Sequence, residues 1–369
     1  MKKSYFLMAA AATMFAACSQ SDVLNEVQVQ EEAQAIGFST YANKATRSEN
    51  NNKAYAWDLE DHHKSFNVWA GKLVKGAHHA VYAIDSKGTV NYESNSWVAT
   101  PSKYWDKTAT EYYFYAGAPS DAKWSLGLEI AGDYSTGYLK YDAFTLNGTN
   151  IADGTSKRYD SWEGKEDKDL MIAAPKTVER NAYNSTTPAD VELQFIHILS
   201  RLNILVKKGS NITGNLNVTK LDVHNLKNKG SFDESKEPAG DYKTQRWDGT
   251  QTGDYTLVGT NPQNALDKTT AVYTHQCLVI PQTIAKQDID TDGHDIVANS
   301  EPYFVISYTI DGEPYFAYYN LAAAFGVDQL GFFEGWENTL TITINPSTIV
   351  FDAKVSEWGE YVKREHVVD

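Results

Sequence analysis

The best candidate for metal chemistry is Asp288-Ile-Asp290-Thr-Asp292-Gly293, three carboxylates at alternate positions ahead of a glycine. Calcium takes carboxylate oxygens at this spacing when the loop closes on a bidentate glutamate at its twelfth position. Here that position is Asn299, and no helical pattern flanks the run. We read it as a polar loop between strands, with weak calcium binding at Asp288, Asp290 and Asp292 as the second reading. His62-His63 and His78-His79 are doublets. Adjacent side chains on an extended chain point to opposite faces, so neither doublet chelates alone. Zinc would need all four to converge with a carboxylate such as Asp61, and exposed loop histidines are the simpler reading. His197 lies in an apolar run and reads as a satisfied core histidine. Cys277, in His-Gln-Cys277-Leu-Val-Ile, reads as a buried inert thiol. No G-x-S-x-G elbow, H-E-x-x-H pair, Walker A loop or dinucleotide fingerprint occurs. Among the many Asp and Glu residues nothing marks a pair for glycoside hydrolysis. The sequence therefore predicts a non-enzymatic protein that requires no cofactor and no metal.

With chemistry set aside, the ends and the composition decide the class. Met1-Lys2-Lys3 is a basic start, and residues 4–14 form an apolar stretch too short to span a bilayer as a helix. Small residues in Phe15-Ala16-Ala17-Cys18 set up lipoprotein processing, which leaves acyl chains on Cys18. Ser19-Gln20-Ser21-Asp22 would be a polar leash. Each buried acyl methylene adds about 0.8 kcal/mol of membrane affinity, so the expectation is an anchored protein. If Cys18 is acylated, Cys277 has no partner and no disulfide staples the fold. Stability must come from burial, and the about 320 residues after residue 47 are ample for two cores. The net charge of −15 argues against a nucleic-acid partner, because phosphate binding needs a basic surface.

The body of the chain reads as strands. Ile36-Gly37-Phe38-Ser39-Thr40-Tyr41 alternates apolar with small or polar residues, the period of a half-buried strand. Residues 43–52 follow without apolar rhythm and include Arg47, an exposed loop open to proteases. Alternating or aromatic-rich segments at 65–70, 111–116, 137–141 and 169–173 form one series. A second opens at 191–206, read as two strands or one bent strand although helical spacing fits its middle. It continues at 220–225, 277–280, 303–308, 315–319, 339–344 and 348–351. Only the alanine-rich 320–326 looks like a helical turn. Short strands punctuated by Gly, Asn, Asp and Ser have the rhythm of a sandwich. The polar stretch 178–190 is taken as the boundary between two β-domains.

Taken together, several stretches resemble the fimbrillin family, the subunits of type V pili. They are the cysteine-terminated leader, Ile36-Gly-Phe-Ser-Thr with Thr46-Arg47, Leu193-Gln-Phe-Ile-His-Ile-Leu-Ser-Arg-Leu202, Leu278-Val-Ile-Pro-Gln-Thr283 and Ile349-Val-Phe-Asp-Ala-Lys-Val-Ser-Glu-Trp358. The resemblance implies an all-β protein of two tandem transthyretin-like β-sandwich domains. It divides the chain into a leader (1–18), a propeptide with a removable strand (19–47), an N-terminal domain (48–185) and a C-terminal domain (186–369). It further implies delivery to the outer membrane as a lipoprotein, cleavage at Arg47 by an Arg-specific protease, and passage into a fimbrium. The partners would be other pilus subunits, self or related, joined by strand addition.

On that reading Ile36, Phe38 and Tyr41 fill a groove before cleavage. Their loss exposes apolar surface and unpaired backbone groups. Ile349, Phe351, Ala353 and Val355 offer the matching alternation and are the donor-strand candidate, with Tyr361, Val367 and Val368 a looser one. Such a head-to-tail contact does not close and yields a filament. An uncut Arg47 would leave a lipidated anchor subunit instead.

The expectation from another class is a surface glycan-binding lipoprotein of a polysaccharide-uptake system. Trp57, Trp69, Trp97, Trp105, Trp124, Trp162 and Trp247 could stack on sugars. Buried tryptophans would favour the core reading, and an exposed coplanar row the glycan reading.

Overall fold

The computed structural model describes residues 34–40, 63–74, 81–131, 134–148, 167–179, 188–236, 246–258, 272–287, 301–346 and 348–357. These residues are mostly strand, with almost no helix, as the sequence predicts. In chain order the first strands are β1 (Phe38–Thr40), β2 (Ser65–Val74), β3 (Val81–Glu93), β4 (Ser96–Thr100), β5 (Ala109–Ala118), β6 (Trp124–Ala131), β7 (Tyr134–Thr145) and β8 (Met171–Glu179). Then come β9 (Val191–Leu193), β10 (Phe195–His197), β11 (Ser200–Lys208), β12 (Leu216–Asp233), β13 (Trp247–Val258), β14 (Val272–Val279) and β15 (Gln282–Ala285). The last are β16 (Tyr303–Ile310), β17 (Glu313–Asn320), β18 (Gln329–Phe332), β19 (Trp336–Ile344) and β20 (Ile349–Glu357), with the helical turn α1 (Leu321–Ala324) after β17. No helix among the described residues is long and apolar enough to cross a membrane.

The first sheet has eight strands in the order β10-β8-β5-β2-β3-β4-β1-β9. Its inner face is an aromatic-rich core that includes Phe38, Phe66, Trp97, Trp105, Tyr112, Phe114 and Phe195. Alternate residues of the central strands go to different cores. Phe66, Val68 and Phe114 face this one, whereas Trp69 and Tyr115 join a second core. The second core also holds β6–β7 residues such as Trp124 and Leu139. It continues between a six-stranded sheet, β17-β16-β12-β7-β6 with β13 on β12, and a four-stranded one, β14-β11-β19-β20. Ile204, Val206, Val223, Phe304, Ile306, Leu340 and Ile342 are fully buried there. Sheet pairings thus pass over residues 180–187: β9 and β10 complete the first sheet, and β7 pairs with β12.

Local sequence accounts for the joints. Ser94 and Asn95 both have φ above zero, the two-residue turn that joins β3 to β4 with the correct twist. Asp311 and Gly312 do the same between β16 and β17. The helical turn starts where the Asn320 side chain accepts the Ala323 N–H at 2.9 Å, and it stops at Gly326 with φ of +71°. The segment 191–206 forms three strands rather than two or one. It must serve both ends of the first sheet before entering the next, so Gln194 and Ile198-Leu199 interrupt the extended run.

Candidate functional site

The site is built around residues 34–40, which lie inside the first sheet. Ile36 N–H donates to the Lys103 carbonyl at 2.7 Å, and the Gln34 carbonyl accepts from Trp105 N–H at 2.9 Å. β1 then pairs on both sides. It runs antiparallel to β4 with Phe38 opposite Trp97, and parallel to β9 with Phe38, Ser39 and Thr40 beside Val191, Glu192 and Leu193. Val191 N–H donates to the Gly37 carbonyl at 2.9 Å.

Side chains alternate as the period of two requires. Ile36 and Phe38 point inward and are 4% and 3% exposed. The Phe38 ring meets Phe66 and Phe114 edge-on at centroid distances of 6.2 and 5.9 Å. Phe66 in turn lies 5.0 Å from Trp97 and 5.2 Å from Phe195. Such pairs add about 0.5–1.5 kcal/mol each beyond the area they bury. Across β4, the Trp97 indole N–H donates to Thr40 Oγ1 at 3.1 Å.

A short turn fixes the chain that receives residues 34–36. Asp106 Oδ1 accepts from Thr108 N–H at 2.8 Å and from its hydroxyl at 2.6 Å, and Lys72 Nζ sits 2.7 Å from Asp106 Oδ2. The Lys72 bond, followed by the Thr108 bonds, holds the Asp106 carboxyl down at about 2. Asp106 N–H donates to the Tyr112 hydroxyl at 2.6 Å, which ties the turn to the core.

The donor-strand candidate is β20. It pairs antiparallel with β19 alone and forms the edge of its sheet. Ile349, Phe351 and Ala353 are half-buried against the second core. Phe351 packs edge-on against Tyr319 at 4.5 Å and Phe304 at 6.0 Å. The alternation ends there, because Val355 is 42% exposed.

Other singled-out residues fall into place. His197 is fully buried and its Nδ1 is bonded to the Asp169 carboxylate, a partner that its sequence neighbourhood did not indicate. Cys277 is completely buried, and burial pushes its thiol pKa upward, away from the nucleophilic thiolate. Trp69, Trp97, Trp105, Trp124 and Trp247 are all buried in the cores. Cys18, Tyr41, Arg47, Trp57, Asp61, His62, His78, His79, Trp162, Asp288, Asp290, Asp292, Tyr361, Val367 and Val368 lie outside the described residues.

A family model described as fimbrillin-like matches residues 28–358. No curated protein matches the chain. Among solved structures, the chain is similar to a fimbrial protein from Bacteroides vulgatus, at 16% identity and a TM-score of 0.45 over 88% of this chain and 99% of that one. It is also similar to the tip fimbrial protein Mfa3 from Porphyromonas gingivalis, with C-terminal truncation, at 10% identity and a TM-score of 0.39 over 83% and 98% of the two chains. A protein from Bacteroides uniformis whose proposed role is cell adhesion aligns at 15% identity and a TM-score of 0.47, covering 88% of this chain and 99% of its own.

Proposed function

This chain belongs to the fimbrillin-like family, and on that premise we propose that it is a structural and adhesive pilus subunit whose assembly is triggered by proteolysis. The family supports a pilus role at the cell surface. The finer steps are our reading. Cys18 is acylated and holds the precursor at the outer membrane. A protease hydrolyses the peptide bond after Arg47, so that the segment carrying Ile36, Phe38 and Tyr41 can leave. A strand from a neighbouring subunit fills the vacated place, and β20, with Ile349, Phe351, Ala353 and Val355, is the strand this chain gives. Two transthyretin-like domains meeting near residues 185 and 186 complete the proposal.

One observation carries this reading. β1 is short and lies between two strands, and the segment 36–40 buries Ile36 and Phe38 in the core. Its departure would open two backbone ladders and an aromatic pocket at once. Unpaired N–H and C=O groups beside exposed apolar surface take up an added strand. β20 is suited to leave, since a single neighbour holds it.

Limited trypsin digestion of the leaderless precursor tests the proposal, read by fragment mass and by size-exclusion elution over time. The expected result is one early cut after Arg47 followed by growth into larger species. A chain that stays uncut at Arg47, or is cut and stays monomeric with residues 34–40 gone, overturns it.

A further inference from the structure

We propose that Asp190 and Glu192, on the outer rim of the β1 position, select which strand can replace β1. The inference rests on the strand-exchange reading above. It concerns the outer face of the slot, which burial of Ile36 and Phe38 leaves unspecified.

The parallel register puts Ser39 beside Glu192, and one step earlier it puts Gly37 beside Asp190. Both acidic side chains are exposed. A methyl group added at Gly37 would overlap the Asp190 carboxylate. The residue in Gly37's place must therefore be small, or Asp190 must swing out. Like charges beside each other on neighbouring strands are destabilising. The residue in Ser39's place is therefore favoured when neutral or basic, and disfavoured when acidic. On the inner face, Thr40 supplies the acceptor for the Trp97 indole. Read outward from these contacts, the slot fits apolar, small, aromatic, neutral or basic, then hydroxyl. Ile36-Gly37-Phe38-Ser39-Thr40 meets each requirement.

The spacing Ile-x-Phe recurs in this chain at only one other place, Ile349-Val350-Phe351 in β20. Laid over β1 in that register, Ile349 and Phe351 reproduce the two buried anchors. The outer face then fails. Val350 meets Asp190, Asp352 lies beside Glu192, and Ala353 offers the Trp97 indole no acceptor. The chain's own β20 thus matches the core and opposes the rim. The preferred occupant is a strand from a different subunit, with a small residue between its two anchors and a neutral or basic residue after the second.

Peptide binding to the full chain cut after Arg47 tests this, with fluorescence anisotropy as the readout. The probes are the sequence of residues 34–40, the sequence of residues 348–354, and the latter with Asp352→Lys or Val350→Gly. The 34–40 peptide should bind most tightly. Asp352→Lys should gain about three- to fivefold over its parent at low salt, the size of one cross-strand charge contact. That gain should disappear in Glu192→Lys, shrink in Glu192→Gln, and fade in about 0.5 M salt. Val350→Gly should also gain, and the gain should vanish in Asp190→Ala. If the 34–40 peptide binds but Asp352→Lys binds no better than its parent, rim selection is wrong while strand exchange stands. A gain that persists in Glu192→Lys overturns it equally. If no peptide binds, including 34–40, strand exchange itself fails and the inference falls with it.

Discussion

β1 and β20 are both strands that a filament could exchange, and the chain holds them in opposite ways. β1 has three residues, two neighbours and one buried anchor, Phe38, with a second, Ile36, two residues ahead of it. β20 has nine residues, one neighbour and anchors that are only half-buried. The comparison teaches that grip does not follow strand length. A short segment locked on both sides and seated in aromatic rings resists removal. A long edge segment held by one ladder can peel.

The largest effect expected on this contrast comes from Phe38→Ala in the uncut chain. Replacing a buried aromatic costs about 3–5 kcal/mol. Chemical denaturation should show a loss of that size, with protection from hydrogen exchange falling first in residues 34–40 and β9. A loss below about 1 kcal/mol would mean that β1 is not locked as described.

Acid should sharpen the contrast next. His275 is fully buried on β14, in the sheet that carries β20, and burial holds its imidazole down to about 4 from 6.5. The folded chain keeps it neutral while the unfolded chain takes a proton near 6.5. Stability is therefore complete above pH 6.5 and falls as pH drops toward 4, by on the order of 3 kcal/mol. Hydrogen exchange should show the four-stranded sheet loosening over that window before the first sheet does. His275→Gln should flatten the slope, and an unchanged slope would refute the assignment.

Phe351→Ala should cost less than its β1 counterpart, about 1–2 kcal/mol, because the ring is only partly removed from water. Equal losses for Phe38→Ala and Phe351→Ala, measured by the same denaturation, would break the comparison. The smallest effect belongs to Asp106→Asn. Its bond to Lys72 is partly exposed, so the loss should stay under about 1 kcal/mol. The folded carboxyl titrates at about 2 against 3.8 for its ordinary value. Its contribution is present above pH 3.8 and disappears as pH falls through 2, which acid titration of the variant would show as a missing step.

Much of this architecture is legible in the residues. The alternation in Ile36-Gly37-Phe38 gave the inward anchors, and the run 320–326 gave the helical turn α1. Those signals are local: a period of two for a strand, an asparagine cap and a glycine stop for a turn. What stayed hidden depends on distant pairing. Nothing near Phe38 announces that β9 will lie parallel to it, because pairing partners are chosen by the whole sheet. Asp169 stands in a polar run, and only the pairing of β8 with β10 brings it to His197. The division of 191–206 into three strands is likewise set by the two sheet ends it must reach. Its apolar residues alternate well enough to suggest a longer run.

β9 and β10 are separated by a single residue, Gln194, and are the two terminal strands in the order of the eight-stranded sheet, so its two edges come together there. That places a timing constraint on folding. A chain emerging N-terminus first can form β2 through β8 while β1 has a wall on only one side. Residues 191–197 must appear before the other wall exists and before the β8 edge is covered. Until then the aromatic pocket is open to any passing strand. Long-separation contacts of this kind are slow to form, so the last closing segment governs how long the nascent chain is vulnerable to mispairing.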